Sequence, residues 1–366
     1  MAAVNSAGSF YAARLALGLA EAPTFPLIIT LLRGFHATDE GVGAAYSWVH
    51  ASTLFAAVLG GPLAAAILSM DGVASLAGWR WLFLFEGVPP IAAAVWILRL
   101  PESPATARFL SPAERVELET AVRTARGGDD TASFGTWSAV RAALLNWRVV
   151  ALGVIELVSS SGRFAAQFFT PLIIQELLMG AKSTDTPSAG AHGGGRAEGA
   201  RADRVVAAAA LSCIPYGLAA AAAVLNAVAA KAAARRWGWG RRWFIVWPAA
   251  VSAAGLFGLG PLVSRGPPAA AFLAVVAGSL GFAAYGVTMS LPSSLVPGDA
   301  RSAALGYALF TALAMLGGLL GPAALGALTE SHGGSYAAGG ALLASFSAAA
   351  GLVYAAAFSW LVPGGK

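Results

Sequence analysis

The chain has 366 residues, of which 57% are hydrophobic and only 11% charged, whereas a soluble domain carries about a quarter charged residues. Water is therefore not its main solvent. The formal net charge of +5 does not imply a nucleic-acid partner, because the basic residues flank long apolar stretches and form no single patch.

About twenty apolar residues are enough to cross a bilayer as a helix. Nine stretches meet that need: 8–33, 43–69, 80–100, 148–178, 204–231, 242–264, 268–296, 302–330 and 336–362. Barrel strands would alternate polar and apolar residues, whereas 205–230 is apolar on every side. The reading is an all-α polytopic membrane protein.

The first span holds Arg14 and Glu21. Charges retained inside a bilayer are costly and are functional candidates by default. Seven residues are close to two helical turns, so the two side chains share a face, separated by roughly 10 Å along the axis. Arg14 offers a permanently charged fork that suits a carboxylate, and Glu21 is a candidate proton carrier. The competing reading is an ion pair that only holds helices together. The second span contributes Tyr46 and Gly60-Gly61-Pro62, small residues that permit close approach or bending.

The polar stretch 101–147 separates three spans from six, so the expected division is a partial bundle over 1–100, a connecting loop, and a six-helix bundle over 148–366. Within the loop, Ser111-Pro112-Ala113-Glu114 reads as a capping box opening a short surface helix. Residues 127–133 read as a flexible tether.

The fourth span repeats the first, with Glu156 and Arg163 seven apart and Gln167 one turn further on. Arg163 and Gln167 are candidate substrate contacts and Glu156 a second candidate proton carrier. Alternatively Glu156 pairs with Arg148 near the membrane surface. The Gly-, Ala- and Ser-rich stretch 180–203 reads as a disordered outer loop. Cys213, alone in its span, reads as packing. Ser290, Ser293, Ser294 and Thr311 are possible polar lining, although such hydroxyls often bond their own backbone. Gly317-Gly318-Leu319-Leu320-Gly321-Pro322 allows close packing or rocking of the eighth span.

Sidedness follows from the connections. If residue 1 lies outside, inner connections hold most of the arginines and lysines, including Arg33, Arg108, Arg115, Lys231, Arg235, Arg236, Arg241 and Arg242. The outer connections hold only Arg80, Lys182, Arg196, Arg201, Arg204 and Arg265. Positive charge belongs on the cytoplasmic side, which places Lys366 inside. The sequence holds no Gly-rich phosphate loop, paired-histidine metal motif or nucleophile elbow. His36, His50, His192 and His332 are scattered. Neither an enzyme nor a bound cofactor or metal is expected.

Several segments together resemble the anion:cation symporters of the major facilitator superfamily, which include phthalate, tartrate, sugar-acid and allantoate permeases. Arg14, Gly18, Glu21 and Pro26 match that family's fourth helix. Asp71-Gly72, Gly78-Trp79-Arg80-Trp81-Leu82-Phe83 and Glu86-Gly87 resemble the entry to its sixth. Leu100-Pro101-Glu102-Ser103-Pro104, Ala107-Arg108 and Leu110 through Glu114-Arg115 resemble its central loop, and the run from Leu305 to Pro322 its eleventh helix. The resemblance implies a twelve-helix fold of two six-helix bundles, with an N-terminal half lacking its first three helices and a complete C-terminal half. It implies alternating access and proton symport of an organic anion, with Arg14 and Arg163 on the substrate and Glu21 on the proton. Two positions depart from the family pattern: the loop Lys231-Ala-Ala-Ala-Arg235-Arg236 lacks the usual acidic residue, and Thr311 stands where many members have asparagine. The expected partners are a small organic anion, protons and the lipid bilayer. The other expectation is a truncated or regulatory relative with no transport of its own.

Overall fold

The computed structural model describes residues 1–125, 136–180, 194–237, 240–292, 295, 300–332 and 337–361. In chain order the helices are α1 (Ala7–Glu21), α2 (Thr24–Phe35), α3 (Asp39–Leu68), α4 (Gly78–Ile97), α5 (Pro112–Ala125), α6 (Thr136–Leu145) and α7 (Trp147–Gly180). They continue with α8 (Gly194–Trp237), α9 (Trp243–Arg265), α10 (Pro268–Ser279), α11 (Tyr285–Met289), α12 (Ala300–Ser331) and α13 (Ala337–Leu361). Among the described residues nine segments are long and apolar enough to span a membrane, and they coincide with the nine read from composition.

The boundaries differ where local chemistry decides. The first span is two helices, α1 and α2, because Pro23 at the cap of α2 cannot extend the preceding hydrogen-bond ladder. The stretch expected as a disordered loop at 180–203 instead supplies the start of α8 at Gly194, and residues 181–193 lie outside the description. Alanine, arginine and glutamate between 196 and 204 are strong helix formers, and they override the composition signal. The expected tether at 127–133 also falls outside the described residues. The seventh span changes pitch midway, with a 3-10 stretch at Leu280–Ala284 between α10 and α11. Such a stretch inside a helix often marks a functional hinge.

Around α7, helices α8, α10, α12 and α13 pack closely, α9 packs on α13 and α10, and α3 crosses onto α8 and α11. At the crossing of α7 and α12, a side chain on Gly321 of α12 would stand 2.7 Å from Ser161 Cα on α7. The glycine run there is a close-packing surface, whereas Gly60 in α3 has nothing within 4 Å. Gly286 of α11 meets α3 in the same way, its missing Cβ lying 2.9 Å from Ser47 Cβ. The Cys213 thiol on α8 donates to the Val58 carbonyl on α3 at 3.2 Å, a packing contact. The largest buried cluster runs through α2, α3, α7, α8, α9, α11, α12 and α13.

The family-like segment between α3 and α4 has a structural reason of its own. Asp71 Oδ1 accepts the Gly78 N–H at 2.6 Å and so caps α4, while Trp81 Nε1 donates to the Val73 carbonyl at 3.1 Å. In the loop, Ser111 N–H donates to the Glu114 carboxylate at 2.8 Å, and Glu114 N–H donates to Ser111 Oγ at 3.3 Å. That is the reciprocal cap of α5.

Candidate functional site

Two helical turns separate Glu156 from Arg163 on α7, and Ser159 lies between them on the same stripe, as spacings of three and four dictate. Arg163 donates to the Glu156 carboxylate and to Ser159 Oγ. Their side chains are 5% and 0% exposed, so this is a fully desolvated ion pair. Glu156 is therefore not Arg148's partner. Arg148 lies over the ring of Trp147, 5.4 Å from its centroid, near the start of the helix.

Other elements close around the pair with aromatic rings. Tyr285, placed by the change of pitch between α10 and α11, presents its face to the Arg163 guanidinium at 5.1 Å. The same ring meets His50 of α3 at 4.2 Å and Tyr46 at 6.2 Å. Tyr46 and His50 are four residues apart and share a face of α3. The phenols of Tyr46, Tyr285 and Tyr307 interact with one another, and Tyr307 also reaches Met289 Sδ at 3.4 Å. Tyr354 of α13 stands within electrostatic reach of both Glu156 and Arg163.

Among the described residues, three buried polar atoms in this cluster have no hydrogen-bond partner: Glu156 Oε2, His50 Nε2 and Tyr354 Oη. Each such atom costs about 1–3 kcal/mol, and buried polar groups are nearly always satisfied. The contrast with Asn226 is direct. Its amide donates to the Phe244 and Ala283 carbonyls and accepts from Trp247 Nε1, all at 2.8 Å. Asn226 is a satisfied structural clamp between α8, α9 and the 3-10 stretch. The Glu156–Arg163 cluster, unlike Asn226, leaves polar atoms unsatisfied.

The cluster lies against tight packing at one end. A cavity of only about 10 Å³ is lined by Glu40, Gly43, Ala44, Ala227, Ala230, Arg241, Val287 and Ser290, roughly the least space that can hold one water. Glu40 and Arg241 form an ion pair of 3.6 Å there.

The remaining expected residues lie elsewhere. Arg14 and Glu21 are both exposed on α1, which has no buried residue. Arg14 rests over the Phe10 ring at 5.3 Å. The structure does not bring them to Arg163, because α1 stands apart from the packed helices. Gln167 is half-buried one turn beyond Arg163, and its backbone carbonyl accepts the Tyr216 hydroxyl. Ser290 Oγ donates to the Val287 carbonyl at 2.8 Å and Thr311 Oγ1 to the Tyr307 carbonyl at 2.9 Å. Ser293 and Ser294 fall outside the described residues. Sequence reading missed His50, Tyr285, Tyr307 and Tyr354. Only His50 had a signal, its position one turn from Tyr46 inside an apolar span.

Comparison with known proteins gives a consistent family. A profile described as Major Facilitator Superfamily matches residues 1–322. A protein of Agrobacterium vitis whose name provisionally assigns it tartrate transport is 34% identical over 177 residues, covering 48% of this chain and 38% of that protein. A Pseudomonas putida protein, NicT, provisionally named for metabolite transport, is 29% identical over 92% of this chain and 69% of its own length. An Acinetobacter baumannii quinolone resistance transporter is 29% identical over 93% of this chain and 70% of its own length. The solved proton:xylose symporter XylE aligns with a TM-score of 0.48 and 17% identity, over 92% of this chain and 66% of that one. This chain thus spans less than half the length of the tartrate-transporter relatives it matches.

Proposed function

Because this chain belongs to the Major Facilitator Superfamily, we propose that it carries a small organic anion across a lipid bilayer by alternating access, coupled to proton symport. The observation that carries the reading is the desolvated Arg163 on α7, ringed by polar atoms that lack partners. An arginine fork matches a carboxylate geometrically, and a buried cation in a membrane helix marks a substrate or ion path. The names of the tartrate-transporter relatives support a carboxylate cargo. Membership among the anion:cation symporters is part of the same proposal, as are the three-plus-six grouping of helices and a cytoplasmic Lys366. Arg14 and Gln167 are assigned further anion contacts, and Glu21 a proton role.

The test is uptake by the 366-residue chain in proteoliposomes with acid outside, using labelled tartrate and a panel of small mono- and dicarboxylates. Accumulation should collapse with a protonophore and be lost in Arg163→Ala, Arg163→Lys retaining a fraction. A wild-type protein that neither binds nor moves any carboxylate refutes the reading. The α1 observation favours a second one. A span whose Arg14 and Glu21 are exposed, with no buried residue around them, suits a chain that works against a partner's helices or regulates another carrier. Uptake by the reconstituted chain alone decides between them.

A further inference from the structure

Resting on the anion-carrier reading, we infer that Glu156 and the carboxylate of the transported anion take turns on Arg163, so that binding the anion requires a proton on Glu156. The guanidinium has five N–H donors. In this structure they meet Ser159, the face of Tyr285 and one carboxylate oxygen, that of Glu156. The other groups facing the pair are the phenols of Tyr46 on α3, Tyr285 on α11, Tyr307 on α12 and Tyr354 on α13, and the imidazole of His50 on α3.

Charge balance then restricts the states. With Glu156 ionised and paired, the site is neutral. An anion arriving on Arg163 while Glu156 stays ionised leaves a net negative charge in a desolvated space, which is heavily penalised. A proton on Glu156 without an anion leaves Arg163 an unpaired cation, penalised for the same reason. The two states of low energy are the closed pair, or neutral Glu156 together with an anion held by Arg163. In the exchange the Arg163–Glu156 contact breaks and an Arg163–carboxylate contact forms. The proton enters from water onto a Glu156 oxygen. The unpartnered His50 Nε2 and Tyr354 Oη are then available to the freed carboxyl or to the anion.

The structure also separates this role from that of Glu21, which is exposed on α1 with no contact to the cluster. Proton linkage through one buried acid makes anion affinity fall about tenfold per pH unit above the coupled titration. Two measurements test this. On the intact wild-type chain in detergent, calorimetry in buffers of different ionisation enthalpy should show about one proton taken up per anion bound; no proton uptake overturns the inference. Glu156→Gln keeps an acceptor for Arg163 and removes the charge. It should bind the anion with an affinity independent of pH and sustain anion exchange, while losing accumulation driven by a pH gradient. Wild-type pH dependence or proton-driven accumulation persisting in Glu156→Gln overturns the inference and leaves the carrier reading standing. Failure of the wild-type chain to bind any of the carboxylates tested overturns both.

Discussion

The Glu156–Arg163 pair can be separated from ordinary structural ion pairs by an unfolding cycle. Both side chains are desolvated, at 0% and 5% exposure, so solvent screening does not reduce the cost of removing one partner. Glu156→Leu leaves Arg163 as an uncompensated buried cation, and Arg163→Met leaves a buried carboxylate whose second oxygen already lacks a partner. Breaking a buried pair from one side costs about 3–5 kcal/mol. Replacing both partners by apolar groups of similar volume is often neutral or stabilising by about 1–4 kcal/mol. The prediction is that each single variant unfolds at markedly lower denaturant, and that Glu156→Leu/Arg163→Met returns to wild-type stability or exceeds it. The double variant should be inert in transport. Equilibrium unfolding in mixed micelles, followed by tryptophan fluorescence, gives the four free energies of the cycle. A double variant as unstable as the sum of the singles would refute the reasoning, because it would mean that the pair supports the helix packing and is not kept for function.

Three further outcomes follow from groups outside the spans. Asp71→Ala removes the Gly78 cap and should destabilise the start of α4 by about 1 kcal/mol, read as faster amide exchange there with the other helices unaffected. Ser111→Ala should speed exchange in the first turn of α5 several-fold. Glu114 accepts the Ser111 amide, which holds its carboxyl below the usual range, so the wild-type cap is present above the ordinary glutamate pKa and fades as pH falls through the lowered value. At His36, burial and then the Lys231 charge hold the imidazole below its ordinary value. Because the folded state prefers neutral His36, its contribution is complete above the unfolded pKa of about 6.5 and is lost as pH falls below it. Lys231→Met should raise the His36 titration midpoint in an imidazole NMR titration; an unchanged midpoint removes Lys231 from the account.

Much of the fold was legible because bilayer crossing depends on length and apolarity, which local sequence states directly. The capping box at Ser111 and Glu114 was legible for a similar reason, since its partners are three residues apart. The break at Pro23 and the pitch change at Leu280–Ala284 were not. The pitch change occurs inside a continuous apolar run, where periodicity carries no information about which turn of the helix yields, whereas Pro23 marks its own turn but membrane helices also accommodate proline without breaking, as α3 does at Pro62. The start of α8 inside 180–203 was misread because low complexity and helix propensity coexist there, and composition alone favours disorder.

The candidate site was half legible, and the reason is physical. Glu156 and Arg163 could be found because charge in an apolar span is conspicuous. The sequence could not tell whether Glu156 faced Arg148 or Arg163, since both lie within two to three turns on the same helix. Tyr285 and Tyr354 were invisible because a tyrosine in a membrane span is ordinary, and only tertiary packing brings their rings to α7. Arg14 and Glu21 show the opposite situation. Their spacing matches that of Glu156 and Arg163, yet no residue of α1 is buried and the two side chains remain exposed. Spacing on one helix places two groups on a face; it does not provide the neighbours that desolvate them. Desolvation is what converts an arginine from a hydrated surface cation into a group that must bind an anion. On that criterion the substrate carboxylate is expected on Arg163 first and on Arg14 only as a further contact, and a cross-linking anion analogue should label the α7 segment before it labels α1.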